Sequence, residues 1–240
     1  MSSQIHQSRY GFKYYETHDL TSTQTFQDEE EVRERFFYPY LKEGLKFLDI
    51  GAAFGSYTLP ALKRGCKVIV ISPPTVEMIG LKLNLELNNF TNVKMFEKAA
   101  FSNYGYINPW TRHFVRWSHQ IPSEYKTRKP SNNDSHTNNA GNHPYDYYFR
   151  TCTVDKILKN GVNFMKIDVE GAEVDVLVGA KNTIRRNNPY ILVENHLQFD
   201  ASIQETVISL IIDNMKLPYD YETRAYSSVS HTLFTPKVIV

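Results

Sequence analysis

The sequence predicts an α/β fold: a mostly parallel sheet with helices on both faces. Three observations predict it. Strand-sized apolar runs alternate with helix-period segments over residues 46–96 and again over 163–215. The first strand runs straight into a glycine turn, Asp49-Ile50-Gly51-Ala52-Ala53-Phe54-Gly55. Two later strands end in polar groups, Asp168-Val169-Glu170 and Glu194-Asn195-His196. Alternation of this kind implies right-handed βαβ units, whose crossover helices cover both faces of a parallel sheet.

The elements follow in chain order. Residues 1–27 are polar with scattered aromatics and no clear period, so they read as a loosely held arm or lid. Asp28 to Leu41 reads as a helix. Asp28, Glu29, Glu30 and Glu31 suit the positive end of its dipole, and Phe36, Phe37 and Tyr40 lie on one side. Pro39 kinks or ends it, and Gly44 closes the segment 1–44. Lys46–Ile50, Lys67–Ile71 and Val93–Phe96 are strands. Between them, Ser56–Arg64 and Thr75–Leu87 are helices, the second with an apolar stripe at Val76, Ile79, Leu83 and Leu87.

The alternation then breaks at an aromatic-rich insertion, residues 105–150. It contains the Asn/Ser/His run 131–143, too poor in apolar residues to pack, so a mobile tip on an ordered aromatic base is expected. Regularity returns with the strand Asn163–Val169, the helix Ala172–Arg186 (Val174, Leu177 and Ile184 inward) and the strand Tyr190–Glu194. Ile203–Met215 is an amphipathic helix, and Leu217–Val240 reads as two strands. Pro236 removes a ladder donor from the last strand, which is therefore expected at an edge or bulged.

Length and composition bound the class. The 240 residues fit a single domain with insertions. Lys+Arg number 27 against 26 Asp+Glu, a balance that argues against bulk nucleic acid or an anionic membrane as main partner. Cys66 and Cys152 form neither a disulfide framework nor a zinc spacing; they read as small apolar residues in a reducing, cytoplasmic setting. No run approaches the ~20 apolar residues of a membrane span, and the first residues lack the apolar core of a secretory signal.

The glycine turn selects among ligands. The dinucleotide fingerprint G-x-G-x-x-G needs glycine at 53 and 56, where Ala53 and Ser56 stand, and no P-loop lysine is present. An acid before a looser Gly-x-x-x-Gly turn suits a ligand without pyrophosphate, such as S-adenosylmethionine. Asp168, Glu170 and Glu173 end a buried strand within six residues, at the sheet edge where open α/β folds bind ligands. Capping of the following helix is the competing reading, and for Glu173 the two stand level. Adjacent parallel strands would bring Glu194 and His196 beside Asp168 and Glu170. A histidine among carboxylates acquires a raised pKa and can accept a proton.

Together these stretches resemble the FkbM-type S-adenosylmethionine-dependent methyltransferases. Asp49 to Gly55 resembles that family's D-x-G-A-N-x-G. Lys166-Ile167-Asp168-Val169-Glu170-Gly171-Ala172-Glu173 resembles its K-I-D-V-E-G-A-E, the most specific match. Leu177-Val178-Gly179-Ala180 and Pro189 to His196 match L-x-G-A and P-x-I-L-V-E-x-H. Asn84, Asn88, Asn92-Val93 and Ala99-Ala100 also fall where the family has such residues. The resemblance covers roughly 45–105 and 150–197.

The resemblance implies a single Rossmann-like methyltransferase domain with a seven-stranded sheet. It implies S-adenosylmethionine held by Asp49, Gly51, Ala52, Ala53, Phe54, Gly55, Ser72, Ala99 and Asp168, with S-adenosylhomocysteine as product. Two departures stand out. Ser72 replaces the acid that holds the donor ribose, and Ala53 replaces an asparagine. A lost charge-assisted hydrogen bond costs about 1.5–3 kcal/mol, roughly tenfold to a hundredfold in affinity. Ser72 retains a neutral bond, and Glu77 at the next helix start is a second candidate for the ribose.

The implied reaction is O-methylation of a sugar or glycan hydroxyl, an in-line displacement with His196 or Glu170 as base and Asp168 beside them. No metal set is assigned; if a divalent cation binds, Asp168, Glu170 and Glu194 are its candidates. Trp110, Arg112, Arg116, Trp117 and Glu194 are candidates for holding the acceptor, since aromatic faces stack on sugar rings. The N/D-P-P-Y run of nitrogen-methylating enzymes is absent, and Ser72-Pro73-Pro74-Thr75 sits after the wrong strand to be it. Two alternatives remain: a non-catalytic binding module, motivated by Ser72 and Ala53, and an RNA ribose 2′-O-methyltransferase, which needs a basic groove.

Overall fold

The computed structural model describes residues 5–15, 30–108, 114–116, 148–226 and 229–237. The arm begins with a hairpin, β1 (Ile5–Gln7) and β2 (Lys13–Tyr15), with Phe12 buried. Then come α1 (Glu30–Phe36), a 3-10 turn (Tyr38–Tyr40), β3 (Lys46–Ile50), α2 (Thr58–Lys63), β4 (Lys67–Ser72), α3 (Val76–Leu87) and β5 (Val93–Glu97). A helix predicted through Leu41 instead ends at Phe36. Pro39 has no N–H to continue an i→i−4 ladder and fits the first turn of the short 3-10 piece.

The insertion is rooted in a small sheet. Its strands are β6 (Ala99–Ala100), β7 (Gly105–Ile107), β8 (Phe114–Arg116) and β9 (Phe149–Cys152), in the order β6-β9-β7-β8. Phe101, Ile107 and Phe149 form its own apolar cluster. The 131–143 run, Trp110, Arg112 and Trp117 lie outside the described residues.

After α4 (Val154–Ile157) come β10 (Phe164–Ile167), α5 (Glu173–Asn187), β11 (Tyr190–His196), α6 (Ile203–Ser209), β12 (Tyr219–Tyr226) and β13 (Val229–Pro236). A π turn, Leu210–Asn214, continues α6, where one uninterrupted helix was expected. The main sheet has seven strands in the order β12-β13-β11-β10-β3-β4-β5. All neighbours from β11 to β5 pair parallel, and β13 pairs antiparallel with both β11 and β12.

Strand alternation divides the core in two. Phe47, Val68, Val70, Phe164 and Leu192 point to one face, against Phe36, Leu59, Leu62, Met78 and Leu81. Leu48, Ile50, Ile71, Met165, Ile167 and Ile191 point to the other, against Val154, Val176, Leu177, Ile184 and Val207. Both faces are thus covered by helices, as the sequence predicts. Cys66 and Cys152 are free and buried, and burial pushes each thiol up to about 11.

Three expectations are corrected. In α3 the buried stripe is Met78, Leu81 and Leu85, while Ile79 and Leu83 are 44% and 47% exposed. Both stripes fit a 3.6-residue period. Gly80 decides between them, because Phe54 packs so closely that a Cβ there would lie 2.5 Å from its ring. The strand carrying Pro236 is not the edge; β12 is. Pro236 sits beyond the last β11 partner of β13, the pair Ile191–Phe234, so its missing N–H breaks no rung of that ladder. Finally, the described part of the arm is tied down. Tyr15 N–H donates to Asn84 Oδ1 (2.9 Å) and Lys13 N–H to Asn88 Oδ1 (2.7 Å), so side-chain amides of α3 and of its C-cap residue satisfy the hairpin's backbone.

Candidate active site

The site forms where β3, β10 and β11 end. On one sheet face the even positions of β10 and β11 continue in register, Lys166 opposite both Asp49 and Leu192. Two residues on, the same parity carries Asp168 and Glu194, and then Glu170 and His196. Period-two geometry therefore gathers side chains from separate stretches on one side of the sheet.

The glycine turn is built tightly on this edge. Gly51 has φ +79°, and a Cβ there would lie 1.6 Å from the Asp168 carbonyl oxygen, so only glycine fits. Ala53 has φ +45°, a left-handed conformation that asparagine tolerates better than alanine. Ala52 is buried, and Gly55, at φ +100°, faces Leu81 and Leu59. The Phe54 carbonyl accepts Asn84 Nδ2 (3.0 Å), which ties the turn to α3 and through it to the hairpin. Asp49 lies beneath the turn, fully buried; its Oδ2 accepts the Thr58 hydroxyl (2.6 Å). Burial holds Asp49 above the ordinary carboxyl range, against the pull of Lys166 and the Thr58 bond. Ser72 is buried at the end of β4, and Ala99 opens β6 beside Thr151.

One buried lysine joins turn and acids. Lys166 Nζ donates to the Gly51 carbonyl (2.8 Å) and to Asp168 Oδ2 (2.8 Å), stands 3.9 Å from Asp49 Oδ1 and lies over the Tyr57 ring. Burial alone would raise Asp168; the charges of Lys166 and His196 and the lysine bond outweigh it and hold the carboxyl below its ordinary range.

His196 is the hub of the cluster. Its Nδ1 lies 2.8 Å from Glu173 Oε1. Its Nε2 faces Glu170 Oε2 at 3.3 Å, Asp168 Oδ1 at 3.6 Å and Glu194 Oε1 at 3.6 Å. Burial opposes charge on the ring, but the Glu173 bond and the Asp168 and Glu170 charges push it up to about 9. Glu170 is held above its ordinary range by the protein around it and by the Asp168 charge. Its side chain is 72% exposed, and its backbone is left-handed at φ +56°, the kind of strain that collects at functional sites.

The sequence pointed to Asp168, Glu170, Glu194 and His196 as neighbours, and the structure brings all four together. The sequence left Glu173 between two readings and missed two partners, His231 and Phe199. Glu173 is fully buried and serves both readings weighed for it, accepting the Gly171 N–H (2.8 Å) at the helix start and holding His196. His231 Nε2 reaches Glu194 Oε2 (3.2 Å) from β13, a strand with no distinguishing motif. Phe199, 48% exposed, lies against the His196 ring at 5.9 Å. Lys166 stood inside the recognised stretch, but only its even strand position hints at its role. Arg116 is placed on β8 by its backbone.

An open sheet with an antiparallel strand set between its fifth and sixth members, and a glycine turn after the central first strand, defines a Rossmann-like methyltransferase fold. The chain belongs to the methyltransferase FkbM domain family, which matches residues 49–222. The methyltransferase FkbM structure from Methylobacillus flagellatus KT has a TM-score of 0.55 and 16% identity, covering 83% of this chain. This chain spans 46% of that protein's length. TYW2 of M. jannaschii, solved with AdoMet, has a TM-score of 0.53 at 13% identity, over 97% of this chain and 84% of its own. Precorrin-6y C5,15-methyltransferase from Geobacter metallireducens GS-15 has a TM-score of 0.51 at 9% identity, over 97% and 94%. At these identities the likeness is one of fold. No curated protein matches. Among the described residues no helix is long and apolar enough to cross a membrane.

Proposed function

We propose that the chain is an S-adenosylmethionine-dependent O-methyltransferase acting on a hydroxyl of a sugar or glycan. The observation that carries the reading is Lys166, which binds the carbonyl of the glycine turn and the carboxylate of the acid cluster at once. Donor turn and acid cluster are thereby parts of one edge, as a transfer between two bound molecules requires. Asp49, Gly51, Ala52, Ala53, Phe54, Gly55, Ser72, Ala99 and Asp168 remain the donor residues of this reading. TYW2 holds AdoMet on the same fold, which supports the donor.

When bound, S-adenosylmethionine would supply the methyl group, its S–CH3 bond breaking as the O–CH3 bond forms and S-adenosylhomocysteine leaving; Glu170 would take the proton of the acceptor hydroxyl. Glu170 fits that part because its carboxylate stands at the exposed rim. His196 is 2% exposed, with both ring nitrogens among carboxylates, so it serves as a positioning residue. Phe199 offers an apolar face beside the cluster on which a sugar ring can stack. Asp168, Glu170, Glu173 and Glu194 make the edge acidic and would repel phosphates. This favours an uncharged acceptor over RNA, and a cluster this complete argues against a purely binding role. Trp110, Arg112, Arg116, Trp117 and Glu194 are the acceptor residues proposed from the sequence.

The test is calorimetry with S-adenosylmethionine and S-adenosylhomocysteine, followed by transfer of labelled methyl to a panel of oligosaccharides. Binding with transfer abolished in Glu170→Gln is the expected result. Absence of heat up to about 1 mM of either ligand, the top of the ordinary affinity range, would sink the reading.

A further inference from the structure

We infer that Asp168, Glu194 and His196 form a binding site for a first-row divalent cation. Asp168, Glu194 and His196 each offer one ligand atom, all within 4.8 Å of one another. His196 Nε2 stands 3.6 Å from Asp168 Oδ1 and 3.6 Å from Glu194 Oε1. Such gaps exceed the ~2.7–3.2 Å of a seated N–H···O bond. They approach the ~3.0–3.5 Å that separates neighbouring donors on an ion with bonds near 2.0–2.1 Å.

The second observation is the imidazole itself. Its side chain is 2% exposed and its Nε2 is aimed into the group. Glu173 Oε1 already accepts the Gly171 N–H, so that oxygen is an acceptor and the proton of the Nδ1 contact belongs to His196. A cation at Nε2 would displace the proton held there and leave the Nδ1 proton directed at Glu173. A metal-bound histidine commonly donates its other N–H to a carboxylate in this way.

The other two ligands are held from behind as well. Lys166 Nζ holds Asp168 Oδ2, leaving Oδ1 turned inward. His231 Nε2 holds Glu194 Oε2, leaving Oε1 turned inward. In all three residues the outer atom is anchored, and the inner carboxylate atoms Asp168 Oδ1 and Glu194 Oε1 both face His196 Nε2. Carboxylates crowded this closely, with Glu170 also 3.3 Å from Nε2, favour positive charge at the centre.

One imidazole with two carboxylates is a mixed nitrogen–oxygen set. It suits Mn²⁺, Fe²⁺ or Zn²⁺ better than Ca²⁺, which takes six to eight oxygens. Glu170, at the rim, keeps its part as proton acceptor. Where the methyl-transfer reading holds, the cation would bind the acceptor hydroxyl and ease its deprotonation. That role rests on the reading; the site does not.

The experiment is titration of Mn²⁺ into the EDTA-stripped full chain, with S-adenosylhomocysteine binding measured on the same sample. One saturable site is expected. Its affinity falls at least about tenfold in Glu194→Gln and in His196→Gln, and by about tenfold in His231→Gln, which loosens only the anchor. In the unaltered chain, Mn²⁺ should broaden the ring resonances of His196 and His231 ahead of those of other histidines, a readout independent of variant folding. The inference is overturned by no saturable Mn²⁺ or Zn²⁺ binding up to about 1 mM, by unchanged affinity in folded variants, or by broadening centred elsewhere. A chain that binds S-adenosylhomocysteine without metal refutes the cation alone; one that binds metal without S-adenosylhomocysteine refutes the donor alone.

Discussion

Replacing Lys166 with methionine isolates what the buried cation does. The side chain is 4% exposed and neutralises a fully buried Asp49 at 3.9 Å as well as Asp168 at 2.8 Å. Removing one partner of a buried ion pair costs about 3–5 kcal/mol, because the remaining charge is left uncompensated. A second route gives a similar ceiling. Asp49 can escape by taking up a proton, and neutralising an ordinary carboxyl at pH 7 costs about 4 kcal/mol, roughly three pH units at about 1.4 kcal/mol each. Asp168 is 20% exposed and partly solvated, so it adds less.

Urea unfolding of Lys166→Met should therefore show a loss of about 3–4 kcal/mol at pH 7. The sign of the pH dependence follows from Asp49. Burial already holds its folded pKa above the unfolded value, and loss of Lys166 raises it further. A carboxyl raised on folding binds its proton more tightly in the native state, so its penalty is absent at low pH and grows as pH rises. The deficit of the variant should shrink as pH approaches 4. The double variant Lys166→Met/Asp49→Asn should recover most of the loss at pH 7. A deficit below about 1 kcal/mol, the scale of an exposed pair, or one that does not change with pH, would refute the reasoning.

Three further predictions follow from single contacts. Gly51→Ala combines a left-handed φ with a Cβ 1.6 Å from the Asp168 carbonyl, so a loss of about 3–5 kcal/mol in chemical denaturation is expected. Asn84→Ala removes the bonds to Tyr15 N–H and the Phe54 carbonyl; about 1–3 kcal/mol should be lost, with hydrogen-exchange protection falling first in the hairpin 5–15. Glu30→Gln removes the negative charge that faces the 1%-exposed Arg33 at 3.0 Å. Contacts with Tyr10, Arg33 and Arg9 outweigh burial and hold Glu30 below its ordinary range. Its contribution, about 1–3 kcal/mol, is present above the ordinary glutamate pKa and lost as pH falls through the folded value, so variant and parent should converge in acid.

Much of the fold was legible because local periodicity is a property of the chain. The alternation of Lys46–Ile50, Lys67–Ile71 and Val93–Phe96 with helical segments specified a parallel sheet, and the Asp49–Gly55 turn marked its ligand edge. The stretches 166–173 and 189–196 named four of the cluster's residues, since parity along adjacent parallel strands is predictable once their register is. Legibility ended where two local solutions were equal. The Ile79/Leu83 and Met78/Leu81/Leu85 stripes of α3 are both helical, and only the Phe54–Gly80 contact selects the second.

The sequence by itself thus determined the class of fold, the family and the membership of the acid cluster, because these rest on spacing along the chain. Only the tertiary structure decided what holds the cluster. His231 arrives from a strand 35 residues beyond His196, its pairing with Glu194 fixed by the antiparallel register of β13. Lys166 acquires its meaning because Gly51 packs directly on the Asp168 carbonyl. Glu173, weighed as a helix cap, also becomes the partner of a buried imidazole. Each of these contacts joins segments whose separation in sequence carries no signal; packing and burial alone make them adjacent.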